Sequence, residues 1–183
     1  MATPDDQDTV QHMFSARGRR PAVAAVLAAG MVVLGPGQAS AHVEATAEGA
    51  QAGTGPVTVT FFAEAESATA GIVGVKTQLP DALLPSAVSL ASGPSGWVLS
   101  TTADGYEITG PDIGAGVDAE FGVTLAQLPA DLVEVHFKTL VRYSDGSEDA
   151  WIELPSADNR APQSPAPAIA LAQQFFERCL ASG

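Results

Sequence analysis

Short runs rich in β-branched residues recur along the chain, each closed by Gly, Pro or an Asp-Gly pair. They cover residues 57–62, 72–79, 97–102, 106–110, 117–125, 132–143 and 148–154, with a last, shorter run at 166–171. Runs of this length and spacing, broken by turn residues, predict an all-β sandwich or barrel. No stretch within 42–171 has a helical period. Within 132–143, Val133, Val135, Phe137, Thr139, Val141 and Tyr143 alternate with Leu132, Glu134, His136, Lys138, Leu140 and Arg142. Successive strand side chains point to opposite faces, so the first set is expected in the core and the second in water. The same logic turns Val57, Val59 and Phe61 inward. Asp104-Gly105 and Asp145-Gly146 are expected as hairpin turns, since Asp-Gly supplies the positive φ that such turns use. With one cysteine in the chain, Cys179, the fold has no internal disulfide to rely on. The span 42–171, about 130 residues, is long enough to bury a core unaided.

The first 41 residues read as an address. Arg17, Arg19 and Arg20 precede an apolar run over residues 21–34, and Gly35-Pro36-Gly37 breaks it before Ala39-Ser40-Ala41. A basic region, a short apolar core and small residues before a cut are the pattern of a secretory signal. The apolar run has 14 residues, short of what a spanning helix needs. Cleavage after Ala41 is therefore expected, with export to the periplasm, the medium or the cell surface. It leaves His42 as the first residue. Residues 172–183 are expected as a short tail, too short and too polar to cross a membrane.

The chain carries 8 Lys and Arg against 21 Asp and Glu, for a net charge of -13. That balance excludes a nucleic-acid partner, whose phosphates call for clustered cations. There is no Gly-x-Ser-x-Gly elbow and no phosphate-binding loop. His136 falls on the predicted water face, so a Ser-His-Asp set lacks a base. Nothing marks the chain as an enzyme.

His42 stands apart because of where cleavage leaves it. A free α-amine and the Nδ1 of one histidine can chelate a metal together, and such an amine deprotonates at little cost near neutral pH. Paired nitrogens favour Cu(II). Glu44 and Glu48 are the nearest carboxylates in sequence, and spacing alone does not choose between them. His136 is disfavoured as a second histidine ligand by its place in the alternation. All three methionines, Met1, Met13 and Met31, lie before the cut, and Cys179 stands alone in the tail. Soft-sulfur Cu(I) sites and blue-copper sites lack their ligands here, so any copper would be Cu(II) held by N and O donors.

The chain resembles the YcnI-like family of bacterial exported copper-binding proteins. The likeness is carried by His42-Val43 after the signal junction, Glu48, Gly96-Trp97, Glu120-Phe121 leading to Leu128-Pro129, Tyr143-Ser144-Asp145-Gly146 followed by Trp151, and Pro165-Ala166-Pro167. It spans about residues 42–171. It implies a single Greek-key, immunoglobulin-like β-sandwich binding one Cu(II) in a mono-histidine brace. His42 would supply its α-amine and Nδ1, Glu48 a carboxylate oxygen, and Trp151 a shield beside the metal. Trp151 also reads as ordinary core packing, and Trp97 reads as core. The resemblance further implies copper storage, uptake or hand-over to copper-trafficking partners. Many members carry a C-terminal membrane helix, and the expectation here is a form without one. Two other functions compete: a metal-free sandwich module for adhesion or interaction, and a copper-dependent oxidative enzyme.

Overall fold

A computed structural model describes residues 42–173. The signal segment, most of the tail and Cys179 lie outside the described residues. Eleven strands follow in chain order: β1 (Val43–Thr46), β2 (Val57–Ala63), β3 (Ile72–Gln78), β4 (Val88–Ser92), β5 (Val98–Thr101), β6 (Gly105–Thr109), β7 (Ala119–Leu125), β8 (Glu134–His136), β9 (Lys138–Tyr143), β10 (Glu148–Trp151) and β11 (Ala168–Ala170). Among the described residues the helical content is one 3₁₀ turn, Pro85–Ala87.

The strands form an immunoglobulin-like β-sandwich. One sheet runs β1-β2-β7-β4, the other β10-β9-β3-β6-β5, and β11 pairs with β8 in a small third sheet. Neighbouring strands are antiparallel throughout. The inner faces are those the alternation predicts. Val59 and Phe61 of β2, Phe121 and Val123 of β7, Val75 of β3, Ile108 of β6 and Val141 of β9 are fully buried. Phe61 stacks on Phe121 at 5.0 Å and meets the edge of Phe137 at 5.2 Å. Trp97 is buried, as expected, and its indole N–H donates to the Pro111 carbonyl at 2.9 Å.

Three expectations are corrected. The run 132–143 is two strands rather than one. β8 pairs with β11, β9 pairs with β3 and β10, and at Phe137 between them the backbone N–H turns to the Pro167 carbonyl at 2.8 Å. Val133, just before β8, accepts from the Leu171 N–H at 2.8 Å but is 68% exposed rather than in the core, while Leu132 packs partly against the core. Strand β4 went unmarked because Ser89, Ala91 and Ser92 dilute its pattern. Ser89 and Ala91 are its outward alternates, and Ser92 ends the strand exposed. Lastly, Gly146 has the expected φ of 85°, but Gly105 does not need a positive φ. Its constraint is space: a Cβ there would lie 1.9 Å from the Thr77 carbonyl oxygen on the neighbouring strand.

The turn after β9 is held by Asp145, whose Oδ1 accepts from the Ser147 N–H at 2.9 Å and the Ser147 hydroxyl at 2.6 Å. These bonds hold the Asp145 carboxyl below its ordinary range, the hydroxyl bond first.

Two outcomes follow from these turns. Gly146→Ala should cost about 1 kcal/mol through its left-handed φ, and Gly105→Ala about 2–3 kcal/mol through overpacking against backbone. Urea denaturation checks the order, and a larger loss in Gly146→Ala would show that φ governs both turns. Asp145→Ala should lower the melting temperature at neutral pH. A depressed carboxylate stabilises the fold above its unfolded pKa and ceases to as pH falls through its folded pKa. The two melting temperatures should therefore converge on acidification.

Candidate metal centre

β1 is one edge strand of the four-stranded sheet, and β10 is one edge strand of the five-stranded sheet. His42 directly precedes β1, and Trp151 ends β10. The two residues meet where the sheet edges come together. Their ring centroids lie 5.6 Å apart with the planes inclined by 32°. Trp151 is buried and His42 is half-buried. One face of the imidazole is thus covered by indole.

The backbone of His42 is gripped by Glu64. The Glu64 N–H donates to the His42 carbonyl at 3.1 Å, which extends the β1–β2 ladder one step beyond Val43 and Ala63. In return the His42 N–H donates to Glu64 Oε2 at 3.2 Å. In the 183-residue chain that nitrogen belongs to a peptide bond, and cutting after Ala41 would make it an α-amine at the same place.

The segment carrying Glu64 is itself pinned. The Ala65 N–H donates to Asp118 Oδ1 at 2.9 Å, and the Glu66 N–H donates to the Tyr143 hydroxyl at 3.0 Å. Burial, then hydrogen bonding to Asp149, raises the Tyr143 phenol well above its ordinary pKa. The Glu66 carboxyl is also raised, first by burial and next by the charge of Asp149. His42 partly opposes that shift and Glu64 adds to it. One Asp149 oxygen, Oδ2, is buried without a hydrogen-bond partner. Glu64 touches His42, and Glu66 has both His42 and Asp149 among the charges that act on it, so carboxylates surround this end of the sandwich.

The other residues singled out from sequence lie elsewhere. Glu48 is exposed in the turn after β1, at the opposite end of that strand from His42. Glu44 is exposed on β1, opposite Phe62 of β2. His136 lies on β8, 27% exposed, with Nε2 3.1 Å from Glu134 and Nδ1 buried without a partner. Sequence reading did not single out Glu64, the carboxylate in contact with the His42 nitrogen.

Among the described residues no three His, Cys, Asp or Glu side chains are grouped as a metal cage. An all-side-chain site is thus a poor fit. The arrangement fits a sparse centre in which one residue gives two donors: the His42 nitrogen, once freed, and its imidazole, with a Glu64 oxygen beside them. Such a centre suits Cu(II), which favours N and O ligands in tetragonal arrangements.

Comparison with known proteins finds a domain family and solved structures similar to the chain. Residues 106–171 match the model of a domain of unknown function, DUF1775. A solved structure from Nocardia farcinica, described as an uncharacterized protein with an immunoglobulin-like fold, is 30% identical to the chain. The match covers 72% of this chain and 99% of that one, with a TM-score of 0.60. No curated protein matches the chain.

Removing the Tyr143 hydroxyl should leave the Glu66 N–H without its acceptor. Tyr143→Phe is expected to cost about 1–2 kcal/mol and to speed amide exchange at Glu66. Unchanged exchange there would remove Tyr143 as the pin of this segment.

Proposed function

The chain belongs to the same family as the immunoglobulin-like protein of Nocardia farcinica and carries a DUF1775 domain, and from that premise we propose that it is an exported copper carrier. In this reading the signal is cut after Ala41. One Cu(II) is then held as cargo at His42, for storage, uptake or hand-over to a copper-trafficking partner, as in the YcnI-like proteins that the sequence resembles. The observation that carries the reading is the contact of the His42 nitrogen with Glu64 Oε2 at 3.2 Å, beside the Trp151 indole.

The chemistry is consistent at each step. The freed amine and Nδ1 of His42 would chelate the ion, and the Glu64 carboxylate would offset its charge. Glu66 and Asp149 make the surroundings anionic, which favours a divalent cation. The indole covers one side and limits access of water, and outer groups of this kind tune metal affinity. A centre held mainly by one residue releases its ion by breaking few bonds. That suits transfer better than catalysis, so the protein is read as a carrier and not an enzyme.

The experiment is a Cu(II) titration of the chain beginning at His42, beside a form with one Ala added before it. The extra residue turns the chelating amine into an amide and changes little else. The native form should bind one copper, and the extended form should bind it at least about a hundredfold more weakly, since one of the two chelating donors is gone. Equal binding by both would exclude the amine. No binding by either would favour the metal-free interaction module. Glu64→Gln should weaken copper about tenfold, the loss typical of a supporting group, and Glu48→Gln should leave it unchanged. The reverse pattern would return the carboxylate role to Glu48.

A further inference from the structure

The four-stranded sheet has a second end, where Val57 of β2 pairs with Leu125 of β7, far from Ala63 and His42. There a hollow of about 440 Å³ opens between residues 82–88 and residues 125–131. Ten of its twelve lining residues are apolar, so its surface is more apolar than polar, and Gln127 and Asp131 are the other two. Leu83, Val88, Leu125 and Leu128 are buried, while Leu84 is 67% exposed. Val133, two residues past Asp131, is 68% exposed. Among the described residues these two are the large apolar side chains most open to water.

The chain leaves β11 beside this hollow. The Leu171 N–H donates to the Val133 carbonyl at 2.8 Å, and Gln173 Nε2 donates to the Leu132 carbonyl at 2.9 Å. Ala172 is bonded to Ala50 and Ala52. The next residue, Gly53, donates its N–H to the Pro129 carbonyl at 3.0 Å, and a Cβ on it would lie 3.3 Å from the Ala130 Cβ. Residues 50–53 thus join Ala172 to one wall of the hollow. Residues 174–183 set out from this point, and they include Phe175, Phe176 and Leu180. An extended chain spans at most about 3.3–3.6 Å per residue. Two residues past Gln173 are enough to reach the wall at 128–131, and six are enough to cross toward 82–87.

We infer that the tail 174–183 is a strap that folds back over this hollow, covering Val133 and seating Phe175 and Phe176 between Leu128 and Leu84. The two most exposed apolar side chains then flank the path of the one segment with adjacent aromatics to cover them. Apolar surface on both sides leaves water together, which drives the contact. Glu177 and Arg178 cancel in charge, so the acidic domain does not repel the segment. A tethered occupant also meets the hollow at a far higher effective concentration than a free one. The strap fastens Ala172 from beyond, and with it the bonds to Ala50 and Ala52. The inference does not depend on copper at His42.

The test uses Cys179, the one cysteine of the chain, in the full-length protein. Ala82→Cys and Ala126→Cys each place a second thiol in the lining of the hollow. A short bismaleimide joins thiols that lie close, and rapid joining within one chain is expected in at least one of these variants. Adding Phe175→Ser and Phe176→Ser keeps the tether and removes the anchors, so joining should slow by about tenfold or more. Leu84→Ser should slow it as well. Leu154→Ser, a like change at an exposed apolar side chain outside the hollow, should not. In the chain with both Phe changes the Ala52 N–H, which donates to the Ala172 carbonyl, should exchange faster. Circular dichroism of each variant reports folding. Equal joining with and without the two Phe changes would overturn the inference, since the tail would then be tethered nearby and nothing more. No joining in either cysteine variant would overturn it and leave the hollow to another protein. Joining between chains in place of joining within one would overturn it and give the hollow to a second copy.

Discussion

The packing of Phe61 against Phe121 within one sheet, and against Phe137 from the crossing between β8 and β9, organises the interior. Phe61 and Phe121 face each other across the β2–β7 pairing, and Phe137 lies where the chain passes between sheets. Aromatics are 6% of the sequence, so few side chains of this size exist to fill the interior. Aromatic packing adds about 0.5–1.5 kcal/mol per pair beyond area burial. Its larger effect is on register. A slip of one residue in β2 would turn Phe61 outward, along with Val59 and Ala63. Glu64 follows Ala63 directly, so the register that buries Phe61 also sets where the carboxylate beside His42 emerges.

Much of the architecture was legible in sequence because alternation and turn residues are local signals. The seven main runs between 57 and 154 all contain strands, and the inward positions of β2 and β9 follow the period of two. What escaped notice depended on pairing. The break at Phe137 is invisible in the alternation, because β8 and β9 keep the same inside and outside while joining different sheets. β4 carries little hydrophobic signal because only Val88 and Leu90 of its five residues turn inward. Gly105 has the sequence of a φ-driven turn, but its constraint comes from Thr77, 28 positions earlier in the chain.

The candidate site was legible residue by residue and not as a constellation. His42 and Trp151 stood out by position and chemistry. Their contact joins the edges of two sheets, which no local pattern encodes. The carboxylate was harder. Glu44 and Glu48 are near His42 in sequence, but β1 is extended and carries them away from it. Glu64 is brought to His42 by the antiparallel return of β2, across a connection containing Gly49, Gly53 and Gly55. Its length rather than its residue types decides which carboxylate arrives.

The two ends of the sandwich are tied to each other. Gln51 bridges Ala172 in parallel. The Ala52 N–H donates to the Ala172 carbonyl at 2.9 Å, and the Ala172 N–H donates to the Ala50 carbonyl at 3.0 Å. Residues that emerge early during synthesis therefore wait for residues that emerge about 120 positions later. Closing a loop of that length costs entropy before any contact repays it, and contacts so distant in sequence slow folding. That seam pins the turn after β1, while β1 itself pairs with β2 alone. A chain interrupted before Ala172 keeps the strands that make the core and loses the bonds that anchor the turn after β1. The last residues to arrive thus complete the support of the first.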